Sequence, residues 1–226
     1  MDTAGLTLAQ YTRSGFFELV MVVSLALPFL LGLHRLLSVK AGRPLRLFHA
    51  LAGMQVGLLF LILASAAQRM WLYQQAYGLT ELRLYVSAFI IWLAFVLGWF
   101  LLSVLRDRVE RFAPGAVAAG FVVVLGLHLI NPDALIVKTN VARAEAGATI
   151  DTAYLTYLSA DAVPALLDAL PTMEPEIQAA MAQQLIARWH QPASPDWRTW
   201  SRARAPAWHA VEDRITILQQ VAQNGI

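Results

Sequence analysis

Four apolar stretches fill roughly the first 137 residues of this chain, at about Ser14–Leu37, Leu47–Met70, Leu82–Leu105 and Ala113–Val137. Each is about 22–25 residues long, or roughly 33–37 Å as a helix, enough to cross a ~30 Å hydrocarbon core with some tilt. A helix buried in a soluble core would be shorter and would carry a polar stripe. The expected fold is therefore all-α. An integral membrane bundle of four transmembrane helices covers residues 1–137, and a small extramembrane helical domain covers 138–226. Charged residues make up only 14% of the chain, against about 25% in a soluble domain, and the deficit lies in the first two thirds.

Charge then orients the spans. Arg35, Lys40, Arg43 and Arg46 lie between the first and second stretches, and Arg106, Arg108 and Arg111 between the third and fourth. Arg13, Arg69, Arg83, Lys138 and Arg143 fall on the other side. The positive-inside tendency puts the first set in the cytoplasm. The expected location is a bacterial inner membrane, multi-pass, with both termini periplasmic. The first thirteen residues lack a basic leader region, so the first stretch is expected to stay as a helix. There is no cysteine, which excludes disulfides, thiolate catalysis and Cys-ligated metals. A net charge of +2 gives no reason to expect nucleic acid as a partner.

Local patterns refine this picture. Thr7 is a possible cap for a lead-in helix, and Pro28 falls inside the first span. Gly53 and Gly57 form a GxxxG pattern in the second span, expected to pack one helix closely on another. Trp71, Tyr73, Tyr77 and Tyr85 suggest an aromatic belt around a connection from Gln68 to Arg83, with Gly78 as its turn and Thr80 as the next cap. Asn131-Pro132-Asp133 should end the fourth span. Beyond it, helices are expected over 134–146, 151–158, about 159–170, 176–190, and 196–223 with an interruption near Pro206. Asp151 and either Ser159 or Asp161 serve as N-caps.

The polar residues of the membrane part gather at one end. When the spans are threaded up and down, Glu18, Arg69, Arg83, His128, Asn131 and Asp133 all fall near the outer face. Ionisable groups at such depth are costly unless paired. Glu18 with Arg69 or Arg83, and Asp133 with Arg83, are the expected pairs. Two uses follow: a site for a polar or anionic ligand, or structural pairing that anchors the bundle to its tail.

Several segments resemble a known family. They are Gly5-Leu-Thr-Leu-Ala-Gln-Tyr11, Gly15-Phe-Phe-Glu-Leu19, Arg69-Met-Trp-Leu-Tyr73, Tyr77-Gly-Leu-Thr-Glu-Leu-Arg83, Asn131-Pro-Asp133, Asn140-Val-Ala-Arg143, Asp151-Thr-Ala-Tyr-Leu155 and Leu158-Ser-Ala-Asp-Ala-Val-Pro164. In this order they resemble a bacterial membrane family known only as a domain of unknown function, of the 4153/4173 type. The resemblance implies a multi-span membrane protein and no activity. Its members are usually longer at the N-terminus, so it implies that this chain corresponds to their C-terminal part. The motifs all fall on the outer side or in the tail. One assembled surface is therefore expected, with Arg143, Asp151 and Asp161 as partners for Arg69 and Arg83. With Tyr73, Tyr77 and Asn140, these residues are the ligand or interface candidates.

No catalytic residue is expected. Ser159, His190 and Asp161 make a triad only on paper, without a nucleophile elbow. The five histidines have no close ligand pair in sequence, so no metal site and no cofactor are expected; a haem or chlorin ligated by His49 or His128 is the remote exception. The expected function is a non-enzymatic accessory or scaffold subunit of a larger membrane assembly. Its partners would be membrane lipids and other membrane subunits, or copies of itself. The alternatives are small-solute transport or ligand sensing through the outer polar cluster, and an enzyme acting on lipid or envelope substrates.

Overall fold

The computed structural model describes residues 8–38, 43–189 and 204–224. The described residues are almost wholly helical. Ten α-helices follow in order: α1 Leu8–Ser38, α2 Arg43–Tyr77, α3 Glu81–Leu105, α4 Phe112–Ile130, α5 Pro132–Glu145, α6 Thr152–Tyr157, α7 Val163–Ala169, α8 Pro175–Trp189, α9 Arg204–Glu212 and α10 Ile215–Asn224. Four apolar helical segments are long enough to cross a membrane: Gly15–Leu37, Leu45–Tyr77, Glu81–Leu105 and Val109–Ile130. The chain divides into two compact units, one of Met1–Tyr77 with Leu82–Leu127, the other of Gly78–Glu81 with His128–Ile226.

The first unit is built on three helices. Leu19, Val23, Leu27 and Leu30 of α1 meet Phe48, Ala52, Val56, Leu59 and Leu63 of α2 and Ile90, Leu93, Leu97, Phe100 and Val104 of α3. The spacing of three or four residues places each set on one face of its helix. Outward residues such as Met21, Phe29, Leu61 and Ile91 are apolar and exposed, as hydrocarbon surroundings demand.

α4 is held differently. None of its residues is buried. Instead, two indoles of α3 reach the backbone of α4 and of the turn just before it. Trp99 Nε1 donates to the Arg111 carbonyl at 3.0 Å, and Trp92 Nε1 donates to the Ala116 carbonyl at 3.1 Å. In each case a glycine stands four residues beyond the accepting carbonyl. A Cβ at Gly115 would overlap Trp99 Nε1, and one at Gly120 would lie 3.3 Å from Trp92 Nε1. The missing side chains therefore clear a path for the rings. Without water, an indole N–H needs a protein acceptor, and α4 and the turn just before it supply one each.

The GxxxG pattern plays no such part within the chain. A Cβ at Gly53 would meet Leu101 at an ordinary 3.9 Å, and one at Gly57 would meet nothing within 4 Å. The expected close internal packing fails because Gly57 lies on an exposed face of α2. The connection from Gln68 to Arg83 is also shorter than expected. α2 runs unbroken to Tyr77 because Gln68 to Tyr77 contains neither Gly nor Pro and is rich in helix formers. Only Gly78, Leu79 and Thr80 form the turn.

The second unit follows the expected helices closely. Asn131 caps α5, Asp151 caps α6 and Ser159 caps the short turn before α7. Pro206 sits in the first turn of α9, where a missing N–H costs nothing, and the break falls at Asp213-Arg214 instead. Trp189 and Trp208 are buried. Thr7, Lys40, His190 and residues 196–203 of the last expected helix lie outside the described residues.

Gly115→Ala should lower stability to denaturation in detergent by about 1–3 kcal/mol through overpacking against Trp99. The loss should shrink in a Trp99→Leu background. Equal losses in both backgrounds would show that the indole does not depend on that gap.

Candidate functional site

The turn between α2 and α3 is fastened by side chains of the second unit. Leu79 N–H donates to Asn140 Oδ1 at 2.8 Å, and Asn140 Nδ2 donates to the Leu79 carbonyl at 2.8 Å. One amide side chain thus satisfies both polar groups of one buried residue. Such bonds are worth about 1 kcal/mol each when made, and an orphaned buried group costs about 1–3 kcal/mol. Beside it, Glu81 N–H donates to the Tyr154 hydroxyl at 2.8 Å. This group is the first free amide of α3, and α6 supplies its acceptor.

Gly78 makes the fit possible. Its φ is +78°, and a Cβ there would lie 2.5 Å from Asn140 Oδ1 and 2.7 Å from an Arg143 guanidinium nitrogen. Only glycine meets both demands.

Asn131 and Asp133 fasten the start of α5. Asn131 is held at φ 54° with its side-chain oxygen accepting from Ala134 N–H, while its Nδ2 donates to the Asp161 carbonyl at 3.2 Å. The buried Asp133 carboxylate accepts from Ser159 N–H at 3.0 Å. Asp151 accepts from Tyr154 N–H at 2.9 Å. Within the second unit, Asn131, Asp133, Asn140 and Tyr154 thus act as backbone fasteners. Asp161 contributes its backbone, and its carboxylate is exposed. A cavity of about 410 Å³ in this unit, bordered by Val141, Glu145, Ile150, Thr172 and Ile177 among others, is lined by none of the candidates.

In the first unit, Arg83 lies over the Tyr73 ring at 4.4 Å and near Tyr77 at 6.0 Å, and donates to the Tyr77 carbonyl at 2.9 Å. That carbonyl is one of the unpaired acceptors at the end of α2, and the ring faces attract the cation. Gln74 Nε2 donates to Ser87 Oγ at 2.7 Å, tying α2 to α3. Arg69 donates to the carbonyl and hydroxyl of Ser65 one turn back on its own helix. Glu18 is exposed and forms no ion pair among the described residues. The expected pairing of Glu18 with Arg69 or Arg83 is therefore not made. Both arginines find neutral acceptors nearer at hand. His128 is exposed in the last turn of α4 and likewise joins no cluster.

A different group converges at another place in the first unit. His34 near the end of α1, His49 near the start of α2 and Asp107 after α3 bring one donor atom each within 4.8 Å of one another. His34 Nε2 is 3.1 Å and His49 Nε2 3.7 Å from Asp107 Oδ1. The three are far apart in sequence, but antiparallel threading puts all of them at the same ends of their spans. That inference was open to sequence reasoning and was missed because the histidines were judged by spacing.

The fold defines a multi-span helical membrane protein with a helical tail. A family model described as a domain of unknown function, DUF4153, matches residues 1–169, and the chain belongs to that family. No curated protein matches the chain, and no solved structure matches it.

Asn140→Leu should cost about 2–4 kcal/mol, because it removes two buried hydrogen bonds and leaves both Leu79 groups orphaned. Gly78→Ala should cost about 1–3 kcal/mol from its forced φ and the crowding. Thermal unfolding in detergent reads both. Wild-type melting of either variant would remove the Leu79 clamp from this account.

Proposed function

We propose that the protein is a non-enzymatic accessory subunit, docked by its spans to a transmembrane helix of a larger assembly in a bacterial inner membrane. The observation that carries this is Gln55. It stands ten residues into the apolar segment that starts at Leu45, roughly 15 Å along the helix. Its side chain is exposed and has no hydrogen bond to a described residue. It lines an otherwise apolar groove between α1 and α2 with Val22, Ala26, Phe29, Leu51 and Ala52. An amide facing hydrocarbon is unfavourable and gains about 1 kcal/mol from a polar side chain on a neighbouring helix. The partner that fits is a transmembrane helix carrying Ser, Thr or Asn. The exposed Gly57 gives a second place for close approach.

The fastening roles of Asn131, Asp133, Asn140 and Asp151 support the same reading. Their polar groups are engaged with backbone and are not gathered around a cavity. An exposed apolar groove of about 460 Å³ between α3 and α4, lined by Ile91, Phe95, Trp99 and Val122, suits a lipid chain.

The orientation we propose puts Arg108 in the cytoplasm and Glu174 in the periplasm, from the basic residues of the short loops. The chain has no cysteine, so single replacements report cleanly. Glu174→Cys should react with an impermeant maleimide in cells with a permeabilised outer membrane, and Arg108→Cys only after the inner membrane is opened. The reverse pattern would invert the topology.

Purification of the tagged chain from native membranes in a gentle detergent should recover a stoichiometric membrane partner. Gln55→Leu should reduce that recovery by about threefold to tenfold while the chain stays folded. Recovery of the chain alone, as monomer or homo-oligomer, would overturn the accessory-subunit reading.

A further inference from the structure

We infer that His34, His49 and Asp107 form a binding site for a divalent transition-metal ion of the zinc type. Three observations on these residues carry it, and none depends on the accessory-subunit reading.

The first is geometry and chemistry. Two imidazoles and one carboxylate are a donor set suited to zinc, with a fourth position left for water or another ligand. Donors around a tetrahedral ion with bonds of about 2.0–2.1 Å stand roughly 3.3–3.4 Å apart. The two separations from Asp107 Oδ1, 3.1 and 3.7 Å, bracket that value. The widest separation is within 4.8 Å and closes by rotation of rings whose outer torsions are soft.

The second is unsatisfied polarity. His34 is only 3% exposed, with Phe48 against its ring. His34 Nδ1 and His49 Nε2 are buried and have no hydrogen-bond partner. The 3.7 Å from His49 Nε2 to Asp107 is within reach of an ion pair but too long for a hydrogen bond. The two rings stack at 5.8 Å. A metal ion takes the unpartnered His49 lone pair directly.

The third is the placement of Asp107. It stands at the position after α3 that glycine usually fills, with φ 51°. Asp107 N–H donates to the Val104 carbonyl and Arg108 N–H to the Ser103 carbonyl, at 3.1 and 2.9 Å. These are the two bonds of a Schellman helix end. A left-handed aspartate there is less favourable than glycine, and the conformation aims its carboxylate at the two histidines. The neighbouring Arg106 and Arg108 are exposed, as is the Asp107 side chain, so the fourth position opens to solvent.

An ion here clips the end of α1, the start of α2 and the turn after α3. It would make the packing of three core helices depend on the cation.

The same turn supplies a clean test. Asp107→Gly removes a ligand yet suits the backbone better, so it should not unfold the chain. The full chain, purified with a histidine-free tag, stripped with chelator and held in nanodiscs, is titrated with Zn²⁺ by calorimetry. Retained metal is counted by mass spectrometry, and melting is followed with and without Zn²⁺. The wild type should take up one ion per chain and melt higher with it. Asp107→Gly and His49→Gln should each weaken binding by about tenfold or more and lose the shift in melting, with helical content unchanged. No saturable uptake by the wild type would overturn the site. So would equal affinity in Asp107→Gly and His49→Gln, which would mean that Zn²⁺ binds elsewhere.

Discussion

The pair of hydrogen bonds between Asn140 and Leu79 is the constraint on which the second unit of this protein depends. The turn between α2 and α3 has room for three residues, too few to satisfy its own backbone. Leu79 is buried there, so its N–H and carbonyl must be met by something other than water. Asn140 meets both with one side chain that can donate and accept. The glycine before Leu79, the Tyr154 hydroxyl after it and the capped start of α5 are all arranged around that contact. The turn consequently belongs with the tail unit, although its neighbours in sequence are spans.

The membrane part obeys the same rule by other means. A polar group in a dry setting is kept only where a partner stands close by. Trp92 donates its indole N–H to the Ala116 carbonyl of α4, and Trp99 to the Arg111 carbonyl just before that helix. Ser24 and Ser87 donate to carbonyls one turn back on their own helices. Arg83 covers a helix-end carbonyl and two aromatic faces. Polar residues that would look like a functional cluster in a list are, in their settings, mostly solutions to local hydrogen-bonding problems. Gln55, His49 and His34 are among the described residues where that local solution is incomplete.

Much of this was legible in the sequence. Apolar length alone located four spans, because hydrocarbon thickness sets a narrow range for a helix. Asn131-Pro132, Asp151 and Ser159 were readable as helix starts, because a short polar side chain before a helix has one common use. What failed was pairing. Opposite charges at one end of a bundle suggested Glu18 with Arg69 or Arg83. A guanidinium bonds a nearby carbonyl or hydroxyl as readily, and sequence does not show which acceptor is nearest. GxxxG misled for a related reason: the pattern says that a helix can be approached closely, not that this chain approaches it. The convergence of His34, His49 and Asp107 needed topology, not spacing. The docking of Trp99 over Gly115 needed the relative rotation of two helices, which no periodicity supplies.

Membership of a family defined without an activity leaves the site to speak through its chemistry. The polar residues of the second unit fasten backbone, with Leu79 as the point held. Hydrogen exchange on the full chain in nanodiscs, resolved at the peptide covering 74–84, tests this most directly. The Leu79 amide should be protected for as long as the amides in the middle of α5. Exchange at the rate of an open turn, with α5 still protected, would contradict the account.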